Sequence, residues 1–169
     1  MPHRATARPA GRFRPRPPGK VVGVNAMARE RVAAPPERVW AVLADGWLYA
    51  GWVVGAAHIR RVEPGWPAAG ARLHHKVGPW PLTIADTTSS LSADPPRELV
   101  LRARGWPLGE ATVRIVVEAD GDGSVVTMEE TPSAGPGAWV HNRVTDAALR
   151  ARNTESLARL RDMAEGGAR

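Results

Sequence analysis

From residue 57 to residue 131 the chain is interrupted at short intervals by turn-forming pairs, and from 138 to 165 it contains no glycine or proline at all. The turns are Pro64-Gly65, Gly78-Pro79, Asp94-Pro95-Pro96 and Gly121-Asp122-Gly123. Segments this short between glycine and proline punctuation suit strands, whereas a long uninterrupted stretch suits a helix. The spacing predicts strands over 58–62, 72–77, 82–91, 99–105, 111–119 and 125–131. Apolar residues alternate with polar ones in the later strands: Leu99, Leu101 and Ala103 oppose Arg102 and Arg104, and Ala111, Val113, Ile115 and Val117 oppose Thr112, Arg114 and Glu118. That alternation belongs to an antiparallel sheet with one wet face.

Ahead of this meander, Val22, Val24, Ala26, Ala28 and Val32 alternate as a further strand, with Glu30 anomalously in phase. Pro35 and Pro36 end it, and Pro36 suits a first helical position before Val39, Val42 and Leu43 at helical spacing. Asp45-Gly46 breaks that helix, and Trp47 to Val53 reads as a second short one. After a loop at 133–137, a helix of about 28 residues runs to Glu165 and stops at Gly166-Gly167. One of its faces carries Trp139, Asn142, Asp146, Leu149, Asn153, Leu157, Leu160 and Ala164. A competing stripe carries Val140, Val144, Ala147, Ala151 and Ala158, and periodicity alone leaves open which meets the sheet, though Leu157 and Leu160 favour the first.

Composition sets the class. The 169 residues suffice for one well-buried core, and the absence of cysteine removes disulfides, thiolate metal sites and cysteine nucleophiles. The net charge of +6 would suggest nucleic acid, but residues 1–20 hold six of the 23 basic residues and no acid, leaving 17 against 17 elsewhere. A nucleic-acid fold carries its basic patch on the folded surface, so no nucleic-acid partner is expected. The proline-rich segment 1–20 is expected to be a disordered tail, and 21–165 the folded domain. No apolar stretch is long enough for a membrane span or suited to a secretory signal, so a cytoplasmic location is expected.

The order strand, two short helices, six-strand meander and long terminal helix resembles the SRPBCC (START-like) superfamily, and within it the polyketide cyclase/dehydrase group. The residues that carry the likeness are the Ala34-Pro35-Pro36-Glu37-Arg38-Val39-Trp40 junction, the region of Asp45 and Trp52, and Asn153-Thr154-Glu155-Ser156-Leu157-Ala158-Arg159-Leu160. The resemblance covers about 21–165. It implies an α+β helix-grip fold: a curved antiparallel sheet of about seven strands wrapped around the C-terminal helix, with a cavity between them for a small apolar or aromatic molecule. It transfers no catalytic residue, because the matching positions are structural.

Phosphate-cradling loops, dinucleotide fingerprints, nucleophile elbows and zinc motifs are absent, and no cofactor is expected. Adjacent His74 and His75 point to opposite strand faces and cannot chelate together, so no metal site is expected; His75 shares its phase with Leu73 and Val77. Asp86 lies in phase with Leu82, Ile84, Thr88 and Ser90. If this face is buried, the carboxylate is a polar anchor or acid/base in the cavity; otherwise Leu82 and Ile84 face out with Asp86 in solvent, or Asp86 only pairs with an arginine. Asn142 and Asp146, one helical turn apart near the expected cavity mouth, either hold a ligand oxygen or are ordinary solvent-exposed residues beyond the apolar seam. Seven tryptophans against one phenylalanine and one tyrosine is an unusual ratio. Trp40 belongs to the packing of the first helix. Trp47, Trp52, Trp66, Trp80, Trp106 and Trp139, at loops or element ends, are stacking surfaces for a flat ligand or else plugs of the core, with Trp80, Trp106 and Trp139 the ligand candidates. Two functions follow from this pattern: binding or carriage of a small, largely apolar metabolite, or a cyclase/dehydratase-like reaction with Asp86 as acid/base. The tail yields the first prediction. Deleting residues 1–20 should change the free energy of unfolding by no more than about 0.5 kcal/mol, measured by denaturant titration; a larger loss would mean that the tail docks on the domain.

Overall fold

A computed structural model describes residues 26–78, 82–105, 109–135 and 143–166. Seven strands form one antiparallel sheet: β1 (Ala26–Val32), β2 (Ala56–Val62), β3 (Arg72–Val77), β4 (Ile84–Asp94), β5 (Glu98–Gly105), β6 (Gly109–Asp120) and β7 (Gly123–Ala134). Their order across the sheet is β1-β7-β6-β5-β4-β3-β2, so every neighbour except the β1–β7 pair is also a neighbour in sequence. Helix α1 (Pro36–Ala44), a 3-10 turn (Gly46–Leu48) and α2 (Tyr49–Trp52) link β1 to β2, and α3 (Arg143–Gly166) closes the chain. This is the expected helix-grip architecture.

Local chemistry sets the boundaries. Pro36 opens α1 at a position where a missing N–H costs nothing. The Asp45 side chain then accepts a 2.9 Å hydrogen bond from the Trp47 amide and starts the 3-10 turn. Gly121, at φ +61°, makes the β6–β7 turn, where an L side chain would be strained. A bulge sits in β2 on each side of His58–Ile59, where its pairing with β3 slips twice.

The core fills the sheet's inner face. Leu73, Leu99, Leu101, Ile115, Val117, Val126 and Met128 meet Val39, Leu43 and Trp52 from the short helices and Leu157, Leu160 and Ala164 from α3. The helical face left open by periodicity is therefore the one bearing Leu157 and Leu160; Ala147 and Ala151 of the competing stripe are exposed. The C-terminal end of α3 is also fastened by polar contacts. Glu165 accepts from the Ala33 amide at 2.7 Å, Arg38 donates to the Ala164 carbonyl at 3.2 Å, and Arg161 pairs with Glu30. The last pair accounts for the carboxylate in phase with the apolar residues of β1: Glu30 meets a helix guanidinium.

Two expectations need adjustment. β4 begins at Ile84 rather than Leu82, and Leu82 and Ile84 are exposed at its start, so the buried phase of this strand comprises Asp86, Thr88 and Ser90 alone. The tryptophans also divide. Trp52 is buried, Trp40 and Trp66 pack against the core with the Trp66 indole donating to the Leu43 carbonyl at 3.3 Å, and Trp47 is exposed. In a chain with one phenylalanine, indoles supply the bulk that closes the helical layer.

Leu160→Ala should accordingly cost about 2–5 kcal/mol of stability, whereas Ala158→Ser, on the half-exposed flank, should stay within about 0.5 kcal/mol. Urea titration of the two variants reads the ranking directly, and the reverse order would contradict the packing of α3.

Candidate functional site

Strand periodicity brings the site together. β3 and β4 pair so that His75 stands directly opposite Asp86, and Thr88, two residues on, shares their face. All three are buried, at 3 %, 8 % and 0 % exposure. His74, on the opposite face, instead contacts Glu63 and Thr87, each at 3.3 Å. Across the sheet from Thr88 come Ala103 and then Ala111, so the inner face beside the polar group is floored by small side chains.

Tyr49 of α2 reaches down from the helical layer. Its hydroxyl lies 3.2 Å from Thr88 Oγ1, which is itself 3.0 Å from His75 Nε2, and its ring stacks edge-on with Trp52 at 5.3 Å. Thr88 Oγ1 stands between the two and can both donate and accept, so the chain runs from Tyr49 to His75 when the ring proton is on Nδ1 and from His75 to Tyr49 when it is on Nε2. His75 Nδ1 meets no partner at hydrogen-bond geometry among the described residues. Burial pushes the Tyr49 phenol up to about 12, only partly offset by Thr88 and the Arg152 charge. Burial likewise lowers the pKa of His75, against the pull of the Asp86 carboxylate and a Lys76 backbone group. Both groups are therefore neutral at physiological pH.

A second layer completes the site. Glu130 of β7, in phase with Val126 and Met128 and 5 % exposed, pairs with Arg152 of α3. Arg152 also donates to Asn153 Oδ1, from Nε at 3.3 Å and from the guanidinium terminus at 3.1 Å. One turn further, Ser156 Oγ accepts from the Val54 amide at 3.1 Å and fixes α3 to the end of α2. The charges of Arg152, Glu130 and Asp86 all act on the Tyr49 phenol, which places the tyrosine at the centre of the cluster.

Three buried polar atoms in this cluster have no hydrogen-bond partner among the described residues: His75 Nδ1, Asp86 Oδ2 and Asn153 Nδ2. The other Asp86 oxygen accepts from the Thr87 amide at 2.6 Å. Unsatisfied buried groups are costly, and two of these, His75 and Asp86, stand opposite one another on one pair of strands. The arrangement can offer a hydrogen-bond donor and an acceptor side by side. The described residues contain no group of three His, Asp or Glu side chains placed to hold a metal ion.

Of the residues predicted from sequence, His75 and Asp86 are brought together. Asp146 is half-buried near the start of α3, two turns before Asn153, and takes no part in the hydrogen bonds around Tyr49. Trp80, Trp106, Trp139 and Asn142 lie outside the described residues. Tyr49, Glu130, Arg152 and Asn153 were not anticipated as site residues. Glu130 carried the same signal as Asp86, a carboxylate in phase with aliphatics; Tyr49 carried none beyond being the lone tyrosine. Two open surface grooves lie elsewhere, one of about 640 Å³ beside Arg29, Arg31 and Asp120 and one of about 480 Å³ along Ala147, Ala151 and Ala158.

The two neutral groups make stability depend on pH in opposite directions. Between pH 10 and 12 the unfolded chain loses a tyrosine proton that the folded protein keeps, so stability should fall by about 2–3 kcal/mol as pH rises through that window. Below about pH 6.5 the unfolded chain gains a histidine proton that folded His75 resists, so stability should fall as pH drops. Denaturant titrations across pH should show the alkaline loss abolished in Tyr49→Phe and the acid loss reduced in His75→Gln. Parallel curves for wild type and variants would contradict the burial of these groups.

The fold has many solved counterparts. Protein NE0264 from Nitrosomonas europaea superposes with a TM-score of 0.65 at 15 % identity, over 85 % of this chain and 95 % of that one. Ara h 8.0201 gives 0.65 at 10 % identity, over 83 % and 97 %. The di-domain ARO/CYC protein BexL, from the BE-7585A biosynthetic pathway, gives 0.64 at 16 % identity over 85 % of this chain and 50 % of its own. Identities this low speak to the fold alone. No functionally curated protein matches the chain by sequence. The sequence profile of one family does match, across residues 12–165, and by that match the chain belongs to the polyketide cyclase / dehydrase and lipid transport family.

Proposed function

We propose that the protein binds and carries a small, neutral, largely apolar molecule between the sheet and α3, and that Asp86 and His75 anchor a polar group of that molecule. The observation that carries this reading is the buried pair of unpartnered atoms, Asp86 Oδ2 and His75 Nδ1, on facing positions of β3 and β4. A ligand hydroxyl both donates and accepts, so with the ring proton on Nδ1 one such group satisfies the carboxylate and the imidazole together. The next positions across the sheet are the small side chains of Ala103 and Ala111, and the surrounding core is aliphatic. Two buried carboxyl groups, Asp86 and Glu130, stand against the single guanidinium of Arg152, a balance that disfavours anionic ligands such as fatty acids.

The histidine opposite Asp86 also favours a second reading, in which the carboxylate moves a proton on a carbonyl compound. One residue separates the two. Under the binding reading, Asp86→Asn should weaken 2-naphthol about fivefold, the loss of one hydrogen bond, and leave naphthalene unchanged, as followed by tryptophan fluorescence. Under the second reading the wild type should also accelerate deuterium exchange next to the carbonyl of 2-tetralone, with Asp86→Asn slowing it at least about a hundredfold. If neither naphthol nor naphthalene binds, the pocket reading fails altogether.

A further inference from the structure

The third unpartnered atom belongs to the helix. Asn153 sits on the inward face of α3, 1 % exposed, one turn before Ser156, which fixes α3 to the residue just past α2. A side-chain amide offers one acceptor and two donor hydrogens, and which end faces a ligand is normally open to rotation about the last side-chain bond. Here it is not. Arg152 donates twice to the amide oxygen while its guanidinium is held by buried Glu130, so the oxygen is turned toward the charge and the nitrogen is turned away from it. Asn153 Nδ2 is left with no partner among the described residues, a buried donor of fixed direction.

Resting on the pocket reading above, we infer that Asn153 is a specificity-determining ligand residue, which selects molecules carrying a carbonyl or ether oxygen on the side facing α3. Arg152 and Glu130 are positioning residues that act through it. The site then reads two points on opposite walls: a hydroxyl at the Asp86–His75 pair on the sheet, and a hydrogen-bond acceptor without a proton at Asn153 on the helix. A purely hydrocarbon or singly hydroxylated molecule fills the space but leaves the amide N–H unsatisfied, and a site with an unpaired buried donor discriminates against such a molecule. The ligand class that fits both points is a neutral, oxygenated, ring-containing molecule with a hydroxyl and a separate carbonyl or ether oxygen.

Four planar probes of nearly equal size test this: fluorene, 2-hydroxyfluorene, 9-fluorenone and 2-hydroxy-9-fluorenone, titrated into the full chain by tryptophan quenching or calorimetry. The wild type should bind 9-fluorenone about fivefold or more tighter than fluorene, the gain from one added hydrogen bond. Asn153→Leu, close in volume and without the amide, should bring that ratio near one while leaving the preference for 2-hydroxyfluorene over fluorene intact. Asp86→Asn should do the converse. Arg152→Gln, which keeps the amide but frees it to turn, should reduce the ketone preference without abolishing binding. Should Asn153→Leu fail to fold, the wild type alone decides: the Asn153 side-chain ¹⁵N–¹H signals should move with 9-fluorenone and stay in place with fluorene. Equal affinities for ketone and hydrocarbon in the wild type, or a ketone preference that survives Asn153→Leu, would overturn the assignment to Asn153 while leaving the pocket in place. Failure of all four probes to bind would remove the pocket reading itself, and the inference with it.

Discussion

The burial of one face of α3 against the sheet is the contact on which the rest of this molecule depends. A meander of this kind presents an apolar inner face that cannot stay in water, and among the described residues the two short helices and the C-terminal half of α3 cover it. Leu157, Leu160 and Ala164 supply that cover at its deepest point, at about 1 % exposure or less. The polar fastenings at Glu165, Arg38 and Arg161 fix the end of the helix in register with β1. Once that end is fixed, the positions of Ser156 and Asn153 follow by helical geometry, one and two turns back toward the polar end of the sheet. The placement of the site is thus a consequence of how the aliphatic end of the helix is packed.

Much of this was legible in the amino-acid order. Turn chemistry divided the meander, the proline pair located α1, and strand phase set His75 with Leu73 and Val77 in one strand and Asp86 with Thr88 and Ser90 in the next, without showing that the two meet. Those inferences rest on local rules, in which backbone sterics and a two-residue period leave few alternatives. The family resemblance was legible for the same reason, because the strand-to-helix junction and the terminal helix are local patterns.

What was not legible depends on partners distant in sequence. Nothing near Tyr49 indicates that its hydroxyl meets a threonine 39 residues away, and nothing near Arg152, the neighbour that holds the Asn153 oxygen, indicates that its guanidinium is bound to a β7 carboxylate 22 residues away. The start of β4 misled for a related reason. Leu82 and Ile84 share a phase with Asp86, but they lie at the sheet's end where no helix covers them, so phase gave the face and not the burial. Tryptophans were ambiguous because bulk alone does not distinguish a core plug from a ligand platform; packing decided for Trp40, Trp52 and Trp66.

The sheet ends at β1 on one side and β2 on the other, and among the described residues no further strand pairs with either. A free strand side is a template on which a foreign chain can extend the ladder, with aggregation as the outcome. β2 meets that hazard with its paired slips about His58 and Ile59, which interrupt the even row of backbone donors and acceptors, and with the exposed cations Arg60 and Arg61. β1 places Arg29 and Arg31 outward in the same way. The charged margins, and the bulges of β2, therefore act as guards against self-templating, so the sheet can hold an apolar inner face without offering its edges as sites for another copy to polymerise.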